Sequence, residues 1–286
     1  MKNMNDIIWL DCVDSTNEEA KRQIQTIDNL SVLSALSQTA GRGQRGNSWC
    51  SAPGENLTFS IVLKFSEDGR KDTLPGLNAK EQFILNELTA LSVAEWISTY
   101  GIRAEIKWPN DIYIGINKIC GILIENSLRG TGLSSSIIGI GLNINQRNFN
   151  VNLVNPTSMT LCCPENGEFD IRKCLDEFLL IFNRYIDEFI IRKAPATELE
   201  KIYLSRLWRL EENAEFIDYT CLPKGHLDGP MNIETDDSSE NNEAIRAGRR
   251  FLGKIKGLSS SGNLLVEDTG LGEILEFSFK EIGYIL

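Results

Sequence analysis

The chain has 286 residues, room for about two domains of ordinary size, and its 42% hydrophobic and 24% charged content suits a protein with a large buried core. Its 29 basic and 40 acidic residues leave a net charge of −11, which sets the surface against nucleic-acid phosphates and anionic lipid. No apolar run approaches the ~20 residues of a membrane span, and seven cysteines without a C-x-x-C spacing point to reduced thiols and a cytoplasmic setting.

The first two hundred residues alternate strand and helix signals. A polar start leads into a short apolar strand at 7–10, too short for a signal-peptide core. Asp14-Ser15-Thr16-Asn17-Glu18 follows, where a hydroxyl stands three residues before an acid. That spacing predicts a capping box and a helix to about residue 24. Residues 31–36 and 57–63 read as strands, and 82–100 as a helix with one buried face. Strands are expected at 104–108, 112–114, 118–125 and 136–144, joined by turns rich in Gly and Asn. A long amphipathic helix over 171–192 closes this part, with Leu175, Phe178, Phe182, Tyr185 and Phe189 facing inward. The pattern is a mixed α+β layer on one sheet.

The composition then changes. Residues 227–245 hold six acids and no Lys or Arg, which predicts a mobile insertion. Three short strands at 249–256, 264–268 and 274–279 suggest a small all-β domain, so the division expected is 1–208 and 209–286. The single histidine, His226, lies in a Gly/Pro segment that reads as a surface loop. A Ser-His-Asp hydrolase, a Cys-His protease or a His-rich zinc site would each depend on it, so if the chain is an enzyme its chemistry is expected to work without a histidine base.

Three segments can carry chemistry. Gln38–Asn47 contains Gly41-Arg42-Gly43-Gln44-Arg45-Gly46, a local positive patch in an acidic chain, with no acid between Asp28 and Glu55. Glycines allow close backbone approach, and forked guanidiniums suit phosphate. The match to G-x-G-x-x-G is not a dinucleotide fingerprint, because Pro53 and the strand at 57–63 leave no helix to open. An exposed hairpin loop with solvated arginines explains the same residues equally well. Lys107-Trp108-Pro109-Asn110-Asp111 ends a strand at its proline, and Lys118 after the next turn stands on the same rim as Asp111. Two lysines and a carboxylate there suit an anionic substrate with magnesium; a solvated charged turn is the plainer account. In the third segment, Gly139 and Gly141 share one strand face and admit either a ligand or a packed helix.

Taken together, Ser15-Thr16-Asn17, GRGQRGNSW, KWPND, the run from Lys118 through Gly121 to Glu125, and GIGLNIN resemble biotin–protein ligase (biotin–[acetyl-CoA-carboxylase] ligase) over about residues 7–200. The resemblance implies a catalytic domain similar to class II aminoacyl-tRNA synthetases, followed by a small SH3-like barrel. It implies that biotin and ATP form biotinyl-5′-AMP, and that the biotinyl group passes to a lysine of a biotin carboxyl carrier protein. By this resemblance Ser15, Thr16, Asn17, Gln38, Gly41, Arg42, Gly43, Gln44, Lys118 and Gly121 fall at biotin. Arg42, Arg45, Trp49, Lys107, Asn110, Asp111 and Asn143 fall at ATP. Arg42, Lys118 and Asp111 are the catalytic candidates, with Asp111 also a ligand for Mg²⁺.

Gln44 departs from the Arg that many relatives carry, which removes one charge from the loop. Some relatives carry an N-terminal helix-turn-helix; the strand signal at residue 7 leaves no room for one, so no nucleic-acid partner and no membrane are expected, and the chain is a monomer or homodimer. The alternatives are a lipoate or octanoate ligase of the same fold and a non-catalytic biotin-binding protein.

Overall fold

The computed structural model describes residues 5–220 and 248–285. The expected insertion at 227–245 and His226 lie outside the described residues. From the N-terminus come β1 (Ile7–Leu10), α1 (Thr16–Gln23), β2 (Val32–Ala35), β3 (Leu57–Ser66), β4 (Leu74–Pro75) and α2 (Phe83–Ser98). Next are β5 (Glu105–Lys107), β6 (Asp111–Ile114), β7 (Asn117–Arg129), β8 (Gly132–Leu142), α3 (Met159–Cys162), α4 (Ile171–Tyr185) and α5 (Ala196–Ser205).

One mixed sheet organises these elements in the order β1-β2-β3-β8-β7-β6-β5, with β4 beside β3. The β1–β2 pair is parallel and the later pairs along that order are antiparallel. Because strand side chains alternate between faces, neighbouring residues serve different cores. Val32, Ile61 and Ile138 join the large core with α2 and α4, whereas Leu33, Val62 and Ile137 pack under α1 with Ala20 and Ile27. The cleft described below lies at the start of α1.

Three helix expectations are corrected. The residues over 82–100 do form α2, but it is buried almost all round rather than on one face, because the sheet, α4 and α5 enclose it. Its polar side chains cope locally: Thr89 and Ser92 donate to the carbonyls of Leu85 and Leu88. The helix expected at 171–192 keeps α-geometry only to Tyr185 and continues as a wider π-turn over Ile186–Ile191. At α1 the expected capping box is absent. Ser15 is the N-cap, yet its side chain accepts no cap bond, and Glu18 turns instead to Lys21 and Arg42.

The second sheet has five antiparallel strands, not three. Besides β10 (Arg249–Leu258), β11 (Leu264–Asp268) and β12 (Glu273–Phe277) it contains β9 (Asn213–Asp218) and β13 (Ile282–Tyr284), in the order β12-β11-β10-β9-β13. Where a small barrel was expected, the described residues show this sheet without pairing between β12 and β13. It abuts the β5–β6 end of the first sheet: Trp108 Nε1 donates to Gly262 O at 3.0 Å, and the Trp108 and Phe279 rings meet edge-on. Among the described residues no helix is long and apolar enough to cross a membrane.

Candidate active site

A cleft of about 290 Å³ runs along the open face of β7 and β8 and draws its walls from five parts of the chain. The first is the start of α1. Thr16 N donates to Gln38 Oε1 at 2.8 Å, and the Ser60 hydroxyl donates to Asn17 Oδ1 at 2.6 Å while lying 2.8 Å from the Thr16 hydroxyl. Ser15, Thr16 and Asn17 are all buried, so this polar floor is set by fixed partners rather than by water. Beside it, Asp14 pairs with Arg22, whose hydrogen bonds push its carboxyl down to about 2.

The second part is the Gly/Arg loop, which forms a hairpin. Trp49 N donates to Gly41 O at 2.9 Å and Gly43 N to Asn47 O at 2.7 Å, around a single helical turn at Gln44–Gly46 that carries Arg45. No longer helix follows, so the dinucleotide reading fails as expected. Gly41 is required by close approach: a Cβ there would fall 2.3 Å from Trp49 O.

This hairpin also resolves the strand glycines. Gly121 and Gly141 are register partners on β7 and β8, and the Trp49 indole lies on both. A Cβ on Gly141 would sit 2.2 Å from Trp49 Cε2; one on Gly139 would sit 2.3 Å from Asn17 Oδ1. The missing side chains therefore admit a tryptophan and a helix asparagine. Trp49 Nε1 and Gln44 Oε1 are buried without a protein partner among the described residues, one donor and one acceptor at the cleft wall. Arg42 reaches Glu18 and, at 3.3 Å, Glu125.

The third part is the β5–β6 turn. Asp111 Oδ2 receives Lys118 Nζ at 2.7 Å, so the shared rim expected from the sequence is formed. Lys107 does not stand on that rim. It is buried, with Nζ 3.2 Å from Tyr113 OH and 4.9, 5.8 and 5.1 Å from the Tyr113, Trp208 and Tyr284 ring centres. Asn110 donates to Ile122 O, and Asn143 Nδ2 to Thr157 O at 2.9 Å.

Two walls were missed from the sequence. One is the loop carrying Phe149, Leu153 and Pro156; its apolar residues set in an Asn-rich polar segment were the available signal. The other is β13, whose Tyr284 lines the cleft from the second sheet and carries no local signal at all. For a metal, no cluster of three or more His, Cys, Asp or Glu exists among the described residues. Asp111 as a lone carboxylate fits a divalent cation carried in by a polyphosphate, not an all-protein cage.

Residues 9–143 match the family described as Biotin/lipoate A/B protein ligase family. A bifunctional ligase/repressor BirA of Salmonella typhimurium is 30% identical over 262 residues, 92% of this chain and 69% of that protein. The chain belongs to the biotin/lipoate A/B protein ligase family. The bifunctional ligase/repressor BirA of Bacillus spizizenii is 33% identical over 143 residues, 49% of this chain. The chain spans 41% of that relative, and about half or less of several others that it matches. Among solved structures, the biotin protein ligase from Aquifex aeolicus in complex with biotin and ATP aligns with a TM-score of 0.69 at 25% identity, covering 98% of both chains. In this member of the biotin/lipoate A/B ligase family the matched segment contains α1, the Gly/Arg hairpin, the Asp111–Lys118 pair and β7–β8, so the family region and most of the cleft coincide.

Proposed function

We propose that the protein activates biotin with ATP as biotinyl-5′-AMP and transfers the biotinyl group to one lysine of a biotin carboxyl carrier domain. The observation that carries this reading is the Lys118–Asp111 pair, set in one cleft with the Thr16–Gln38 floor and the Gly/Arg hairpin. The Aquifex ligase of similar fold, solved with biotin and ATP, supports it.

The chemistry asks two anions to meet. A biotin carboxylate oxygen attacks the α-phosphorus, the bond to the bridging β-oxygen breaks, and pyrophosphate leaves. Lys118 and Arg42 supply positive charge where that repulsion is greatest, and positioning does the rest. Asp111 would hold Mg²⁺ brought in on the triphosphate, whose charge would ease the departure of pyrophosphate. Ser15, Thr16, Asn17, Gln38, Gly41, Gly43, Gln44 and Gly121 form the biotin end; Arg45, Trp49, Lys107, Asn110 and Asn143 form or support the nucleotide end. The carrier amine then attacks the acyl carbon, AMP leaves and the nitrogen loses a proton. The hairpin across the cleft keeps water from this mixed anhydride.

The two domains of this reading are 1–208 and 209–286, the protein is cytoplasmic, and its partner is the carrier domain of a carboxylase. A surface of net charge −11 argues against a nucleic-acid partner. Pyrophosphate exchange into ATP, run with biotin, lipoate, octanoate or no acid, tests the activity. Exchange with biotin alone is expected. Exchange with lipoate would move the chain to the lipoate branch, and none with any acid would end the enzymatic reading.

A further inference from the structure

Arg42 is held by two carboxylates from different elements. Its Nη1 contacts Glu18 on α1 and lies 3.3 Å from Glu125 Oε1 on β7. Lys21 Nζ lies 2.8 Å from each of the same two carboxylates, so two cations and two anions form a closed cluster. Hydrogen bonding from Lys21 first, then the charges of Lys21 and Arg42, holds the Glu18 carboxyl below its usual range against the opposing effect of burial. The other Glu125 oxygen, Oε2, accepts from Asn17 Nδ2 at 2.9 Å, and Asn17 Oδ1 accepts from Ser60. One line of contacts therefore joins the first arm of the hairpin, where Arg42 faces Ser48, to the polar floor of the cleft.

We infer that Glu18 and Glu125 are positioning residues that clamp Arg42 and so hold the 41–49 hairpin across the cleft, Glu125 also fixing the orientation of the Asn17 amide. Besides this clamp, the ties seen among the described residues are the Trp49 indole on Gly121 and Gly141, the hairpin's own backbone bonds and a weak Gln44 Nε2 to Ile122 O contact at 3.4 Å. A guanidinium shared between α1 and β7 sets how often the hairpin lifts. It also couples lifting to the floor, because Glu125 serves both. The inference rests on the proposed function only in what the cleft holds.

The test uses hydrogen exchange of the 41–49 segment in the full chain, with biotin KM and kcat for pyrophosphate exchange measured alongside. In a Glu18→Gln/Glu125→Gln variant the segment should exchange about three- to tenfold faster, the range for two partly exposed ion pairs. Biotin KM should rise by a similar factor with kcat little changed, and Tm should stay close to that of the parent. Wild type in about 1 M NaCl, where the screening length is about 3 Å, should approach the variant. Glu125→Gln keeps an acceptor for Asn17, so Glu125→Ala should raise KM further than Glu125→Gln does. Unchanged exchange of 41–49 in the double variant, or wild-type exchange indifferent to salt, would overturn the clamp. A parent protein that lacks biotin-dependent exchange would instead sink the proposed activity, while hydrogen exchange would still report on the clamp.

Discussion

Lys118 Nζ and Asp111 Oδ2 lie 2.7 Å apart across a hairpin whose register has shifted by one residue at Ile112/Tyr113. The irregularity pairs Tyr113 with Lys118 and Asp111 with Gly121, and so brings a charge from each strand to one rim. Lys118→Ala should lower biotin-dependent pyrophosphate exchange by at least about a hundredfold, the scale for removing one preorganised charge at a developing anion. Lys118 is partly exposed, and the circular dichroism of the variant should match the parent. Near-parental turnover would remove Lys118 from the chemistry.

Gly141→Ala places a methyl group 2.2 Å from the Trp49 ring, within van der Waals overlap, so the indole must leave its bed. Biotin and ATP KM values should both rise about tenfold or more, while Tm falls only by a few degrees. Since the neighbouring Gly139 contacts Asn17 and not Trp49, Gly139→Ala should affect biotin far more than ATP. Equal effects of the two variants on both ligands would count against this division of the cleft.

Arg42→Gly removes the cation that links the hairpin to α1 and β7. Biotinyl-AMP should then escape before transfer, and lysines on bystander proteins should become labelled. Blotting a mixture of carrier and albumin reads this directly; label confined to the carrier would refute a leaking lid.

Glu87 is buried inside α2, where desolvation first and the nearby Glu200 second push its carboxyl up to about 8 from 4.5. A raised carboxyl is protonated in the folded chain and ionised in the unfolded chain between these values. The stability it confers is therefore complete below about pH 4.5 and lost as pH rises toward about 8. Urea unfolding should show wild type losing about 1–3 kcal/mol more than Glu87→Gln between pH 5 and pH 8. Parallel pH profiles for the two proteins would show that Glu87 stays ionised.

The strands and helices around the cleft were legible because their signals are local. The apolar run of β3, the start of α1 after Ser15 and the turn between Lys107 and Asp111 can each be read within a few positions, although the capping bonds expected at α1 do not form. The Gly/Arg loop was legible as a charge pattern and as a family motif. What its arginine touches was not, because Glu18 and Glu125 are 24 and 83 residues away from Arg42 (42 − 18 and 125 − 42). Lys107 was misplaced on the rim for a similar reason: the Trp208 and Tyr284 rings that enclose it come from about 100 and 180 residues downstream. β13 escaped notice because three residues are too few to show alternation, and only its pairing with β9 makes it a strand.

That late strand has a thermodynamic consequence. Tyr284 supplies a wall of the cleft, and the Trp108–Gly262 bond ties the second sheet to the turn that carries Asp111. Docking of the second sheet and occupancy of the cleft are then linked equilibria, each strengthening the other. A ligand filling the cleft should raise the melting temperature of the second sheet, though few of its residues touch it. Conversely, any change that loosens that sheet weakens binding at a site whose principal residues lie between Ser15 and Asn143. Residues 1–208 produced as a fragment would retain the motifs and lose a wall.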